Sequence, residues 1–312
     1  MAGYILRRLG SAIVVLWAVM TVTFFLMHAI PGGPFTAEKK LPAGILQTIE
    51  ERYHLNDSVG LQYIDYMKRA VVLDFGPSYK YLGRSVNDII TESFPVSATL
   101  GLLSLAVAVG VGIPAGTIAA WRKNSWVDYT TMLGATFGMS VPSFIIAAVL
   151  VNLFAFHWQM FPAALWKGPL YMILPTISLA AHPTAFITRL TRSSMLEVLN
   201  QDYMKTARSK GVGTFRLLCY HGLRNALLPV ISYIGPLSAA LLTGSFIVEN
   251  IFAIPGLGRH FVTSIYNRDY TVILGVTIFY SVIVVAMNLI VDLLYPLLDP
   301  RITLRGGTEG EK

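Results

Sequence analysis

Three kinds of grouping would give this 312-residue chain a chemistry, and two of them occur. The first is Gly138-Met139-Ser140-Val141-Pro142, with His182 further along. A nucleophilic serine on a strained elbow needs glycine two positions after it, and here that position is proline. Serines in apolar helices usually bond back to their own backbone, so hydrolysis is set aside. The second grouping would be a phosphate cradle, but no G-x-x-x-x-G-K-[ST] run occurs. The chain therefore does not hold ATP itself, and no cofactor or metal is expected on it. The third is the basic segment 189–224, where Arg189, Arg192, Lys205, Arg208, Lys210, Arg216 and Arg224 outweigh Glu197 and Asp202. Its pattern fits either a docking surface or a positively charged loop that fixes topology. Cys219 is the only cysteine and builds no disulfide or thiolate metal site within one chain.

The elements that carry these groups are membrane spans. The residues are 54% hydrophobic and 13% charged, about half the charge of a soluble domain. Mean hydropathy is +0.59. Six windows are long enough for a bilayer core about 30 Å thick. They are Leu9–Ile30, Val96–Trp121, Tyr129–Phe156, Gly168–Thr188, Asn225–Val248 and Tyr270–Val291, and none contains Asp, Glu, Lys or Arg. A charge at a helix centre costs about 2.5–3.5 kcal/mol, which accounts for their exclusion. The missing carboxylates and lysines also argue against a proton- or sodium-coupled transporter. His182 is the one ionisable side chain deep in a span, read here as a neutral imidazole hydrogen-bonded between helices. The first window exceeds a signal-peptide core and is read as a retained helix. Gly112 with Gly116, and Gly134 with Gly138, have the spacing of close helix approaches.

Charge asymmetry gives orientation. Segments 1–8, 122–128, 189–224 and 292–312 are rich in Lys and Arg, whereas 157–167 and 249–269 hold only Lys167, Arg259 and Arg268. The rich side is predicted to be cytoplasmic, with both termini on it. The formal net charge of +7 is thus ascribed to membrane orientation and not to nucleic-acid binding. Domain organisation follows. Residues 1–30 form the N-terminus and first span, 31–95 an external segment, 96–298 the core with the 189–224 loop, and 299–312 a tail. In the external segment, Ile45, Ile49 and Tyr53, then Leu61, Ile64 and Met67, predict two short amphipathic helices. Asp74–Ser78 reads as a turn. In the loop, a helix over Gln201–Lys210 should stop at Gly211.

Several runs resemble a known family. Asp202-Tyr203-Met204-Lys205-Thr206-Ala207-Arg208-Ser209-Lys210-Gly211, followed by His221-Gly222-Leu223-Arg224-Asn225-Ala226-Leu227-Leu228-Pro229, is similar to the cytoplasmic EAA loop of ABC importer permeases. Its Thr-Ala-Arg-x-Lys-Gly opening and long gap before Leu-Pro match the dipeptide/oligopeptide branch. The likeness continues through Arg192–Leu199, Glu249-Asn250-Ile251-Phe252, Pro255-Gly256-Leu257-Gly258, Val291–Tyr295 and Asp299-Pro300-Arg301. The outer runs Pro34-Phe35-Thr36, Arg52–Asp57, Asp74–Ser78, Ser85–Asp88 and Ser93–Ala98 are similar to the oligopeptide permease B subunit.

This resemblance implies an all-α, six-span type I ABC importer permease bundle with a small periplasmic insertion, in a bacterial inner membrane. It implies a heterodimer with a second related permease, and two ATPase subunits that use ATP and Mg. It further implies a periplasmic or lipid-anchored peptide-binding protein. The expected cargo is oligopeptides, with dipeptides, murein peptides and nickel as alternatives. Lys205, Thr206, Ala207, Arg208, Lys210 and Gly211 would couple to an ATPase, with His221, Arg224, Leu228 and Pro229 shaping the return into the fifth span. Glu249, Pro255, Gly256, Gly258 and Arg259 would meet the binding protein or close the outer gate. Arg268 and Asp269 are expected to pair with charges on that protein.

Overall fold

The computed structural model describes residues 2–30, 56–81 and 83–298. The helix expected around Ile45–Tyr53 and the motifs within 31–55 and at 299–301 lie outside the described residues. Among those described, secondary structure is helical apart from one isolated bridge between Pro77 and Ser85. Among the described residues five helical stretches are long and apolar enough to cross a membrane, and a pair bent by 104° is so when its two halves are taken together.

Helix α1 (Ala2–Ala29) sends most of its apolar side chains outward, where lipid is their natural solvent. Near its end it meets α2 (Val59–Val71). Phe24 stacks on Tyr66 with ring centroids 5.5 Å apart, the Thr21 and Tyr63 hydroxyls lie 2.8 Å apart, and His28 Nε2 lies 3.1 Å from Gln62 Oε1. The inward face of α2 is thus Gln62, Tyr63, Tyr66 and Ala70. Leu61 and Ile64 are exposed, the reverse of the sequence expectation, because the aromatic and polar partners on α1 select the other face.

The turn at Asp74–Ser78 forms as expected. Gly76 (φ +78°) donates its N–H to Asp74 Oδ1 at 3.0 Å, and Asn87 ties the turn to the next helix. That helix, α3 (Val86–Trp121), starts earlier than the apolar window because Ser85 and Asp88 form a reciprocal capping box. Its first turns belong to the polar segment and its remainder to the membrane.

Helices α3 and α6 (Pro169–Leu199) form the spine of the bundle. A Cβ at Gly112 would fall 2.8 Å from Ile187 Cγ2, and one at Gly116 would strike the Thr188 carbonyl. This small-residue pair is therefore a packing site, as its spacing suggested. Of the second pair, Gly138 approaches Ala185 whereas Gly134 meets nothing within 4 Å. Burial is continuous along the spine. Val86, Ile89, Leu257 and Val272 fill one end, Leu100, Leu174 and Phe252 the next layer, Ala108, Ile187 and Leu237 the middle, and Ala120, Met195 and Ala226 the other end.

The third apolar window is not one helix. It divides into α4 (Trp126–Ser140) and α5 (Ser143–Leu150), the latter continued by π turns to His157, with a 104° bend between them. Pro142 has no N–H to give and pushes Val141 into an extended conformation (φ −92°, ψ 121°), which ends α4. After α6 come α7 (Asp202–Ser209), a run of helical turns over 214–226, and α8 (Leu228–Leu242). The fifth window then breaks at Gly244 (φ +85°) before α9 (Phe246–Ile251). Helices α10 (Leu257–Asn267) and α11 (Tyr270–Leu298) complete the chain.

At the α7 end, Asp128 at the start of α4 accepts two bonds from Arg192 on α6, at 2.5 and 2.7 Å, and one from the Asn124 N–H at 2.9 Å. The carboxylate is almost wholly buried, while Arg192 keeps 24% of its side chain accessible. Asp128→Asn should therefore lower stability by on the order of 2 kcal/mol, less than a fully buried pair would lose. A thermal melt of the purified protein in detergent measures this, and an unchanged midpoint would show that the pair contributes nothing.

Candidate functional site

The basic segment resolves into a small lever. Met204 on α7 is buried against the bundle and Ala207, one turn on, is half-buried on the same side. Asp202, Lys205, Thr206 and Ser209 lie along the opposite, exposed face, and Lys205 bonds Asp202 at 2.9 Å. Ala207 thus packs partly toward its own bundle, not wholly outward. The helix ends in a Schellman motif. The Gly211 N–H reaches the Arg208 carbonyl at 3.0 Å and the Val212 N–H reaches the Ala207 carbonyl at 3.3 Å, with Gly211 at φ +74°. Lys210, the residue before this turn, is exposed.

Two further contacts tie α7 to the spans. The Arg208 guanidinium sits 5.2 Å from the centre of the Trp121 ring at the end of α3, a cation–π contact the sequence did not suggest. Asn225 Nδ2 donates to the Tyr203 hydroxyl at 2.8 Å, joining α7 to the entry of α8. His221 is half-buried beside Tyr220, and Gly222 lets Met195 approach to 3.0 Å from where a Cβ would stand. Leu228 is half-buried and opens α8 with Pro229 in its first turn, where the missing N–H costs no bond. Arg224 is exposed.

At the other end, the five residues expected at an outer gate separate into two groups. Pro255 and Arg259 are exposed. Glu249, Gly256 and Gly258 are buried, and Glu249 shows no accessible surface in the chain. Glu249 is therefore an internal anchor without surface for a docking partner. Its Oε1 accepts from the Ser97 hydroxyl on α3 at 2.7 Å, and its Oε2 accepts from the Arg259 N–H at 2.9 Å. Ser97 Oγ in turn accepts from the Leu257 N–H at 2.9 Å. The carboxyl group thus caps the first turn of α10, where the helix dipole favours it. Gly244, Gly256 and Gly258 wall it in. A Cβ at Gly258 would stand 3.0 Å from Oε2, and one at Gly244 would collide with Oε1.

Asp269 is likewise fully buried and not an exposed charge. It accepts from the Ser78 hydroxyl, and from the N–H groups of Tyr79 and Lys80 at 3.2 and 3.3 Å, so it locks the 74–81 turn onto the start of α11. His260 stands edge-on to Tyr81. Burial first, then Arg84 and Arg259, hold its imidazole below the ordinary value, which keeps the ring neutral. Burial similarly pushes the Tyr66 hydroxyl up, so it stays protonated.

The span count, the α3–α6 spine, the projecting helix and the interlocked opposite end describe a multi-pass helical membrane protein, with a fold shared by ABC importer permeases. The likeness extends to solved structures. A chain of the inward-facing MetNI methionine ABC transporter superposes with a TM-score of 0.56 at 16% identity, covering 67% of this chain and 96% of that one.

The chain belongs to the binding-protein-dependent transport system inner membrane component family, whose model matches residues 112–304. The model of the corresponding N-terminal membrane component matches residues 1–101. The dipeptide transport system permease protein DppB of Bacillus subtilis is 49% identical over 97% of this chain and 99% of its own length. The oligopeptide transport system permease protein OppB of Salmonella typhimurium is 44% identical over the same shares. Both sub-branches are thus represented, and the chain is a transport component of the inner membrane.

Proposed function

We propose that this chain is one of two permease subunits in an ATP-driven importer of peptides, and that α7 is its coupling helix. The observation that carries this is the attachment of α7. An exposed helical face stands on a short element joined to three spans, to α3 through Arg208–Trp121, to α6 through the chain itself, and to α8 through Tyr203–Asn225. A push on such an element moves the ends of three helices together. Lys205, Thr206 and Lys210 present the surface an ATPase subunit would grip, while Gly211 sets the angle at which the chain leaves it.

Charge asymmetry supports a cytoplasmic position for the α7 end and for both termini. The opposite end then faces the binding protein, with Pro255 and Arg259 at the surface and Glu249, Gly256 and Gly258 holding the cap beneath them. ATP and Mg are used by the two ATPase subunits, and a second, related permease completes the bundle. The named relatives support dipeptides or oligopeptides as cargo.

The test is uptake of labelled peptides of graded length by vesicles holding the four-subunit complex with its binding protein. Uptake should stop on ATP depletion and survive collapse of the ion gradients. The reverse dependence would replace this reading with an ion-coupled transporter.

A further inference from the structure

Helix α6 carries two ionisable side chains on one open face, one within the apolar window and one just past its end. His182 lies close to the middle of this 31-residue helix and is exposed. Arg189, two turns on and one turn short of the Asp128–Arg192 pair, is exposed as well. Neither makes a hydrogen bond or ion pair among the described residues, so the interhelical bond expected for His182 does not form among them. Phe186 lies between them on the same face, because positions 182, 186 and 189 follow the helical repeat. Its ring is 4.2 Å from that of Tyr233 on α8. The face therefore combines two unpaired cationic or polar groups with an aromatic pair, in the interior half of the bundle.

Hydrocarbon is a poor solvent for His182, since an intramembrane histidine normally turns to a protein partner or a water-filled cavity, and Arg189 stands at the end of the same apolar window. The exposed apolar side chain of Ile177 lies on another face of the helix, about 140° round from His182, where lipid is its expected solvent. We infer that the open face bearing His182, Phe186, Arg189 and Tyr233 lines a water-filled passage, and that Arg189 there receives the terminal carboxylate of the peptide in transit. This rests on the peptide-importer reading above. A guanidinium offers a forked pair of donors that a carboxylate matches in geometry. The neighbouring aromatic rings give an apolar wall tolerant of varied side chains, which suits cargo recognised by its ends.

The experiment uses the assembled four-subunit transporter in proteoliposomes, in a Cys219→Ser background. His182→Cys and Tyr233→Cys should react with a membrane-impermeant methanethiosulfonate, and Ile177→Cys, facing lipid, should react about tenfold more slowly or not at all. Saturating peptide should slow the reaction at 182 and 233. Separately, Arg189→Gln should raise the KM for a peptide with a free carboxylate by about tenfold, without changing it for the C-terminal amide, and Arg189→Lys should restore most of the loss. If 182 and 233 are as unreactive as 177, the face is covered by lipid or by the second permease and the inference is wrong. Equal effects of Arg189→Gln on acid and amide would remove the carboxylate contact. Failure of the Cys219→Ser parent to take up any peptide would instead sink the cargo assignment, and the reactivity pattern would still report on the passage.

Discussion

Replacing Gly211 with valine is expected to cut ATP-driven uptake to about a tenth or less while leaving the amount of protein in the membrane unchanged. The reason is local. Gly211 occupies the left-handed region at φ +74°, and both bonds of the Schellman motif depend on that conformation. A β-branched residue there is a steric outlier. A Cβ at this position would meet nothing within 4 Å, so crowding is not the cause. That separates two explanations. Gly211→Asn adds more atoms than alanine does but tolerates the left-handed region, and should keep most of the activity. Equal loss in the valine and asparagine variants would mean that the side chain itself blocks docking. Normal uptake by the valine variant would mean that α7 is not the coupling element. Ala207→Glu should give the same phenotype by another route, because position 207 is half-buried on the Met204 side and a carboxylate there would lift the helix.

The consequence should be uncoupling and not misfolding, because the turn is remote from the packed layers of the bundle. The Arg208–Trp121 and Tyr203–Asn225 contacts hold α7 at two points along its length. Each is worth on the order of 1 kcal/mol, so neither alone fixes the lever. The turn at Gly211 sets the direction in which the chain departs. Wrongly set, it misaligns the helix with any groove it enters, even though α6 and α8 remain in place.

Features that depend on neighbours in sequence were legible before any coordinates. The apolar windows, the stop at Gly211, the Asp74–Ser78 turn and the close approach at Gly112 and Gly116 each follow from a period or a local preference. The sequence alone reads through the break in the third window, although Pro142 is its local cause; the 104° angle also reflects how α4 and α5 pack against α6. Features that depend on distant partners were not legible. Glu249 pairs with Ser97, 152 positions away, and Asp269 with Ser78, 191 positions away. From one sequence both acids read as loop charges facing a partner, since Glu249 directly follows one apolar window and Asp269 directly precedes another. A physical hint was present in Gly244, Gly256 and Gly258. Glycines clustered about a lone acid signal that something bulky and polar approaches the backbone. The Arg208–Trp121 contact, by contrast, left no local trace.

Glu249→Ala should destabilise the protein by on the order of 4 kcal/mol, the largest effect expected of any single polar substitution here. It strands the Ser97 hydroxyl and the Arg259 N–H in a buried site and removes the cap from α10. Glu249→Gln keeps an acceptor but turns an amide NH₂ toward donors, and should lose about half as much. Gly256→Ala should be nearly as damaging as Glu249→Ala, because its Cβ would lie 2.5 Å from Glu249 Cδ and 2.6 Å from Ser97 Oγ, with neither neighbour free to retreat. The two substitutions share one cause, so they should not add. In the double variant, Gly256→Ala should cost less than it does alone, since the Glu249 carboxyl group it collides with has gone and only the contact with Ser97 Oγ remains. Thermal midpoints of the purified assembly, with hydrogen exchange over residues 244–269, complete that cycle. Strong non-additivity confined to this segment would mean that the Glu249 carboxyl group couples α9, α10 and the start of α3 into one unit. Simple additivity would show that the glycines pack against something other than the carboxyl group, and the cap would lose its anchor as an explanation.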